Sequence, residues 1–311
     1  MRTAFISELF ELAKQDERIV LIVGDLGFGV VTPFMEQLPR QFLNAGVAEQ
    51  NMTSMAAGMA LSGKIALTYS IANFPTLRCL EQVRNDVCYH DANVKIVSVG
   101  GGFTYGAMGA THHALEDLAV MRAMPGLVVV APGDPVEARA ATRAVIAYQG
   151  PCYLRLGKAG EPVVHQLPID FELGRAIQMR EGRDATLIST GGILQNVVRA
   201  AERLAREGIQ TRVLSMHTLK PLDAEAVLAA ARETGAIFTI EEHSVLGGLG
   251  SAVAEVLAEA DGIKVPFKRL GVPSGFSLHI GSQEYMQDCH GLTEAGIAES
   301  VASVIRTVTS S

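Results

Sequence analysis

The side chain in this sequence best placed to move a proton is Glu49. It sits in residues 43–64, LNAGVAEQNMTSMAAGMALSGK, with no basic residue between Gln41 and Gly63. Val47, Met52, Met55, Met59 and Leu61 recur at helical spacing, Ala56, Ala57 and Ala60 fill the turns, and Gly46 and Gly63 bracket the run. The pattern predicts a buried helix, apolar on most sides, with one carboxylate near its start. Either Glu49 complements the positive end of the helix dipole, or apolar walls raise its pKa so that it holds a proton near neutral pH and shares it with a ligand nitrogen. Asp25 follows an apolar run in Gly24-Asp25-Leu26-Gly27. That turn delivers it to the carboxyl edge of a strand, where ligands of open α/β sheets gather, or lets it cap the next turn. Phe74 stands at a strand–helix junction, where plain core is the commoner role. His112 and His113 lie in the glycine-rich loop 100–116, GGGFTYGAMGATHHALE, and Arg155 in CYLRLGK, residues 152–158. A guanidinium suits a phosphate or carboxylate, and a surface ion pair is the alternative.

The elements that must position these residues alternate. Helix 3–14, strands 19–23 and 65–70, helix 74–89, strand 95–99, helix 115–122, strand 127–131, a helix from Asp134 and strand 152–156 make one α/β unit. A second follows: strand 185–189, helix 194–207, strand 211–215, helix 224–234, strand 236–241, helix 251–259, strand 265–270 and a last helix 293–307. Strand–helix repetition with short turns predicts an α/β fold of two open, mostly parallel sheets covered by helices. With 311 residues, 48% of them hydrophobic, the chain is long enough for two cores. The irregular, Pro-containing stretch between the units reads as a linker, giving bounds of 1–160, 161–182 and 183–311.

Composition narrows the setting. No apolar run approaches the roughly 20 residues of a membrane span, and MRTAFISELFELAKQ reads as an amphipathic helix rather than a signal peptide. Cys79, Cys88, Cys152 and Cys289 show no metal-like or redox spacing, which points to a reducing cytoplasm. A net charge of −7 without a basic stripe argues against nucleic acid as a partner.

Gly46-Val47-Ala48-Glu49-Gln50-Asn51-Met52 resembles the glutamate motif of the transketolase group of thiamine diphosphate enzymes. In that group this Glu hydrogen-bonds N1′ of the cofactor's aminopyrimidine and starts the proton relay that activates its thiazolium. The resemblance makes residues 1–160 a pyrimidine-binding domain. It makes 183–311 a transketolase C-terminal-like domain, through TLKPLD at 218–223 and EEHSVLGGLG at 241–250. The chain is also similar to 1-deoxyxylulose-5-phosphate synthases and to 2-oxo acid dehydrogenase β subunits. YSIANFPTLRCLEQVR, residues 69–84, resembles the segment whose aromatics stack on the pyrimidine, which implies that role for Phe74; Ile71 and Leu77 replace neighbouring aromatics. Asp25 joins the cofactor-binding set. Gly109-Ala110-Thr111-His112-His113 matches the motif whose His faces the reacting carbons of the sugar, so His112 carries a catalytic expectation and His113, where Gln is usual, a weaker substrate-binding one. Arg155 takes the phosphate-binding role.

Two departures bear on substrate. Gly100 replaces a His that helps bind the acceptor phosphate, and Met108 replaces an Asp that reads a donor hydroxyl. A thioether for a carboxylate weakens polar discrimination of hydroxylated sugars. The GDG motif and Asn that hold Mg²⁺ and the diphosphate are absent from the sequence. The resemblance therefore implies a larger partner subunit carrying them, an α2β2 heterotetramer and a large apolar interface on this chain. The expected activity is transfer of a two-carbon ketol unit from a ketose to an aldehyde. The alternatives are decarboxylating acyl transfer from a 2-oxo acid such as pyruvate, the acceptor being an aldehyde, a ketose or a nucleotide-activated sugar, and a non-catalytic regulatory partner.

Overall fold

The computed structural model describes residues 1–166 and 168–309. Its strands are β1 (Ile19–Val23), β2 (Phe42–Asn44), β3 (Ile65–Ile71), β4 (Val94–Val99), β5 (Val128–Val130), β6 (Cys152–Leu156), β7 (Ile177–Arg180), β8 (Ala185–Thr190), β9 (Thr211–Ser215), β10 (Thr218–Lys220), β11 (Ile237–Ser244) and β12 (Phe267–Val272). They form two sheets, in the orders β10-β5-β6-β4-β3-β1-β2 and β12-β11-β8-β9-β7. Among the described residues, only the edge strands β10 and β7 run antiparallel. Central strands such as β1 (IVLIV), β4 and β6 are buried along their whole length, as parallel strands covered on both faces must be. Lys95 is tolerated inside β4 because its Nζ reaches the carbonyls of Tyr148 and Gly150, at 2.8 and 2.6 Å.

Helix Pro135–Ala147 begins where expected, with Asp134 Oδ1 accepting from the amides of Val136 and Glu137 and proline opening the first turn. One apolar cluster runs from Ile22, Met52 and Ile96 under the first sheet to Leu214, Leu219 and Leu249 of the second half, so the two units share a core. Among the described residues no helix is long and apolar enough to cross a membrane.

The structure departs from the sequence reading in several places. Strand β10 comes from the second half of the chain but closes the first sheet, pairing Thr218 with Val130. Strand β7 falls inside the stretch read as irregular linker. The helix expected over 74–89 is a composite of a 3-10 turn Leu77–Cys79, one α turn Leu80–Gln82 and a π segment Val83–Cys88; a short helix Gln283–Cys289 has no counterpart in the sequence pattern. The helix carrying Glu49 spans Glu49–Leu61 and is not buried all round: Met52, Thr53, Ala56 and Ala57 face the core, whereas Val47 just before it and Leu61 at its end are 73% and 61% exposed.

Candidate active site

Neighbouring parallel strands β1 and β3 pair Val23 with Tyr69, so their carboxyl ends bring Gly24 and Ser70 to one place. The helix Glu49–Leu61 starts beside them. A Cβ on Gly24 would lie 3.4 Å from Ser70 Oγ and 3.6 Å from Glu49 Cγ, so all three meet. Glu49 is 2% exposed. Its surroundings are not purely apolar, which corrects the expectation from sequence: Arg78 Nη1 donates to Glu49 Oε2 at 2.8 Å. The same guanidinium sits 4.6 Å from the centroid of the Phe74 ring. Among the described residues nothing donates a hydrogen bond to Glu49 Oε1, and the buried Ser70 Oγ and Asn73 Oδ1 have no partner.

Phe74 leads to the loop. His112 packs its ring edge-on to Phe74, with centroids 5.4 Å apart, and Thr111 Oγ1 lies 3.0 Å from His112 Nδ1. Asn73 Nδ2 donates to the carbonyls of His113 at 2.7 Å and Thr111 at 3.3 Å, pinning the loop to the strand end. Met108, 58% exposed, ends the 3-10 turn Gly106–Met108 on the same loop. Glu49, Arg78, Phe74 and His112 thus form one connected cluster, a carboxylate, a cation, an aromatic face and an imidazole.

Asp25 lies at the margin. Its φ of 55° is left-handed, a conformation costing a non-glycine residue about 1 kcal/mol. Asn44 holds it there, accepting from Asp25 N at 3.1 Å and donating to Asp25 Oδ1 at 2.9 Å; Asn44 Oδ1 also accepts from Gly46 N. Asp25 therefore caps no helix; Val31 occupies the cap position of the next one. It braces the turn that leads into Glu49.

Two residues sit differently from the sequence reading. His113 is 4% exposed, its Nε2 3.0 Å from the Gly106 carbonyl and its ring edge-on to Phe103. It is turned beneath the loop, away from the face His112 presents. Arg155 is 5% exposed and is not a surface ion pair; it lines the cleft between the two sheets. Its Nε donates to Asp117 Oδ2 at 2.8 Å and its Nη2 to the carbonyls of Ala114 and Glu242, at 2.8 and 3.0 Å. Asp117 Oδ2 also accepts from Tyr153 Oη at 2.6 Å. Arg78 is the functional candidate that sequence reasoning missed. It stands four positions after Phe74, but nothing in the sequence shows that the broken helix turns it onto Glu49.

A cleft of about 760 Å³ between the two sheets is lined by Gly101, Lys158, Arg199, Glu242 and Gln283 among others. It contains none of the Glu49 cluster. That cluster lies instead at an open edge of the first sheet.

Residues 1–160 match the family model described as "Transketolase, pyrimidine binding domain", and residues 174–297 the one described as "Transketolase, C-terminal domain". The chain belongs to the transketolase family. It is 40% identical over 307 residues to a subunit of the apulose-4-phosphate transketolase of Phocaeicola vulgatus, covering 98% of this chain and 97% of that one. It is 40% identical over 305 residues to the 6-deoxy-6-sulfo-D-fructose transketolase subunit SqwH of a Clostridium species, covering 98% and 94%. A solved split-gene transketolase described as an inactive beta4 tetramer superposes with a TM-score of 0.90 at 39% identity, over 98% of each chain.

Membership gives the glycine at position 100 a physical explanation. Where the transketolase pattern has His, Gly100 adopts φ +97°, and a Cβ there would collide with the ring of Tyr105. The positive φ and the Tyr105 ring both favour glycine here, and the ring walls this side of the loop.

Proposed function

We propose that this chain is the small subunit of a split transketolase-like enzyme that moves a two-carbon ketol unit from a ketose to an aldehyde, using thiamine diphosphate. The observation that carries this is the buried Glu49 at the head of its helix with one carboxylate oxygen uncommitted, beside Phe74 and His112. Relatives that match along almost their whole length are themselves named as transketolase subunits.

The residues fit the aminopyrimidine end of the cofactor. Glu49 Oε1 and the partnerless buried Ser70 Oγ are polar atoms in want of a ligand, and Phe74 offers an aromatic face. When bound, the cofactor supplies the carbanion chemistry. Glu49 would hold and pass the proton at Oε1, with Arg78 fixing Oε2 in place. Phe74 would support the ring, and His112, oriented through Nδ1 by Thr111, would present Nε2 to a substrate hydroxyl or carbonyl. Met108 leaves an apolar lip where the pattern has a carboxylate.

The diphosphate and Mg²⁺ belong on a larger subunit: the sequence lacks the GDG motif, and no cluster among the described residues could hold a metal. An α2β2 assembly follows from this reading. The exposed apolar side chains of Val47 and Leu61, just before and at the end of the Glu49 helix, and of Leu77 and Tyr89 on the segment packed beside it supply the surface that a partner would cover. The cytoplasm remains the compartment this reading favours.

The test is reconstitution of the chain with a partner carrying the GDG domain, thiamine diphosphate and Mg²⁺. Ketol transfer to an aldehyde should appear only with both subunits. Release of CO₂ from pyruvate without ketol transfer would favour acyl transfer, and turnover by the partner alone would make this chain a regulatory subunit.

A further inference from the structure

We propose that Glu242, on β11 of the second sheet, is a positioning residue that sets the geometry of the loop carrying Met108 and His112. This rests on the ketol-transfer reading for its kinetic consequence, though not for the mechanical coupling itself.

Glu242 is 4% exposed and lies far along the chain from every candidate catalytic residue. Its Oε1 accepts from the backbone amide of Phe103, at the root of the loop, at 2.5 Å. The rest of the carboxylate is filled by two side-chain amides, Gln283 Nε2 at 3.0 and 3.2 Å and Gln287 Nε2 on Oε2. Its own carbonyl receives Arg155 Nη2. Two glycines let the loop come this close: a Cβ on Gly102 would strike the Glu242 carboxylate, and one on Gly106 would lie 2.7 Å from the Gly281 carbonyl and 2.9 Å from Met286. Between them the Phe103 ring stacks on His290, 5.1 Å away and nearly parallel. At its far end the loop is closed by paired Gly102 and Ala114 amides and carbonyls, at 3.0 and 2.9 Å. The loop therefore rests in large part on the second half of the chain; the first half holds it through Asn73, through Arg155 on the Ala114 carbonyl and through the Leu156 carbonyl at Gly100 and Gly101.

A buried carboxylate is an expensive way to fill space. Burial pushes its pKa up, against the pull of Gln287, the Phe103 amide and Arg155. An apolar side chain of similar volume would cost less, and the charge's usefulness lies in directional bonds that admit one loop position. Because the loop's His112 meets Phe74, a shift at Phe103 moves the imidazole relative to the Glu49 cluster, and a misplacement near 1 Å can cost about 100-fold in rate.

The test uses full-length Glu242→Ala, Glu242→Gln and Gln287→Leu chains. Hydrogen–deuterium exchange over residues 100–114 is read on the chain alone; donor kcat/KM and thiamine diphosphate affinity are read in the two-subunit complex. Glu242→Ala should speed loop exchange at least about 10-fold and lower donor kcat/KM by about 10- to 100-fold. Cofactor affinity should stay within about twofold, because Glu49, Arg78 and Phe74 do not hang from the loop. Glu242→Gln, which keeps an oxygen for the Phe103 amide, should recover most of the loss. Gln287→Leu should move both readouts the same way by less, and it carries the test if Glu242→Ala fails to fold. Unchanged loop exchange in the variants, or a fall in cofactor affinity in step with kcat/KM, would overturn the proposal. A wild-type complex without ketol transfer would sink the functional reading while loop exchange still decided the coupling.

Discussion

Two arginine–carboxylate pairs in this molecule have the same length and opposite surroundings. Arg78–Glu49 and Arg155–Asp117 both measure 2.8 Å. In the second, both partners are buried: Tyr153 joins Arg155 on Asp117 Oδ2, the Ala114 and Glu242 carbonyls take Arg155 Nη2, and Asp117 Oδ1 is left buried without a partner. In the first, the arginine is 47% exposed and one oxygen of a buried carboxylate is left over. Each pair leaves one carboxylate oxygen over, so the difference lies in access: Asp117 is sealed in behind a buried arginine, whereas Glu49 has a half-exposed arginine with Phe74 and His112 beside it. The comparison favours Glu49 as the group left for a ligand and gives Arg155 Nε and Nη2 a structural part.

The contrast breaks if the two pairs respond alike to substitution. Glu49→Gln should lower turnover of the two-subunit complex by several orders of magnitude. Its unfolding free energy should change by less than about 1 kcal/mol, since a half-exposed pair contributes little. Asp117→Ala should do the opposite, losing about 3–5 kcal/mol in urea titration because it strands a buried guanidinium. Equal stability losses for the two variants would erase the distinction.

A third charged cluster sharpens it with the smallest effect. His165 lies between Asp134 Oδ2 and Glu137 Oε1, at 3.2 and 3.0 Å, and clasps the segment between the two units onto the first. Burial alone would lower its pKa, but the nearby carboxylates of Asp134 and Glu137 prevail and raise it to about 9. A folded pKa above the unfolded value near 6.5 means that the clasp stabilises fully below that value and is lost as pH rises through about 9. Stability should fall by on the order of 2–3 kcal/mol between pH 7 and 10. In His165→Gln that slope should flatten, as urea midpoints across this range would show.

Much of the fold is legible in the sequence because buried parallel strands such as IVLIV announce themselves as continuous apolar runs between helical stretches. The exceptions have physical causes. Three-residue β10 carries no pattern of its own and is recruited by the edge of β5. In the π segment Val83–Cys88 the i→i+5 spacing blurs the helical period. The Glu49 helix looks buried from composition because sequence cannot distinguish a side chain packed in its own core from one left for a partner. At the site, Glu49, Phe74 and His112 can be singled out by local motifs. Arg78 on Glu49 and Asp117 on Arg155 cannot, since those pairings join residues 29 and 38 positions apart. Arg155 reads as an anion anchor because its type suits one, and only the structure shows Nε and Nη2 committed to Asp117 and two carbonyls.

The central claim, that Glu49 starts the proton relay, is tested most directly on the proton it is meant to release. In the complex with its larger partner, thiamine diphosphate and Mg²⁺, exchange of the cofactor's C2 proton with deuterium can be followed by quenched-flow NMR without any substrate. The account predicts rapid exchange with the wild-type chain and exchange slowed by orders of magnitude with Glu49→Gln, the cofactor remaining bound in both. Equal exchange rates in the two complexes would contradict it.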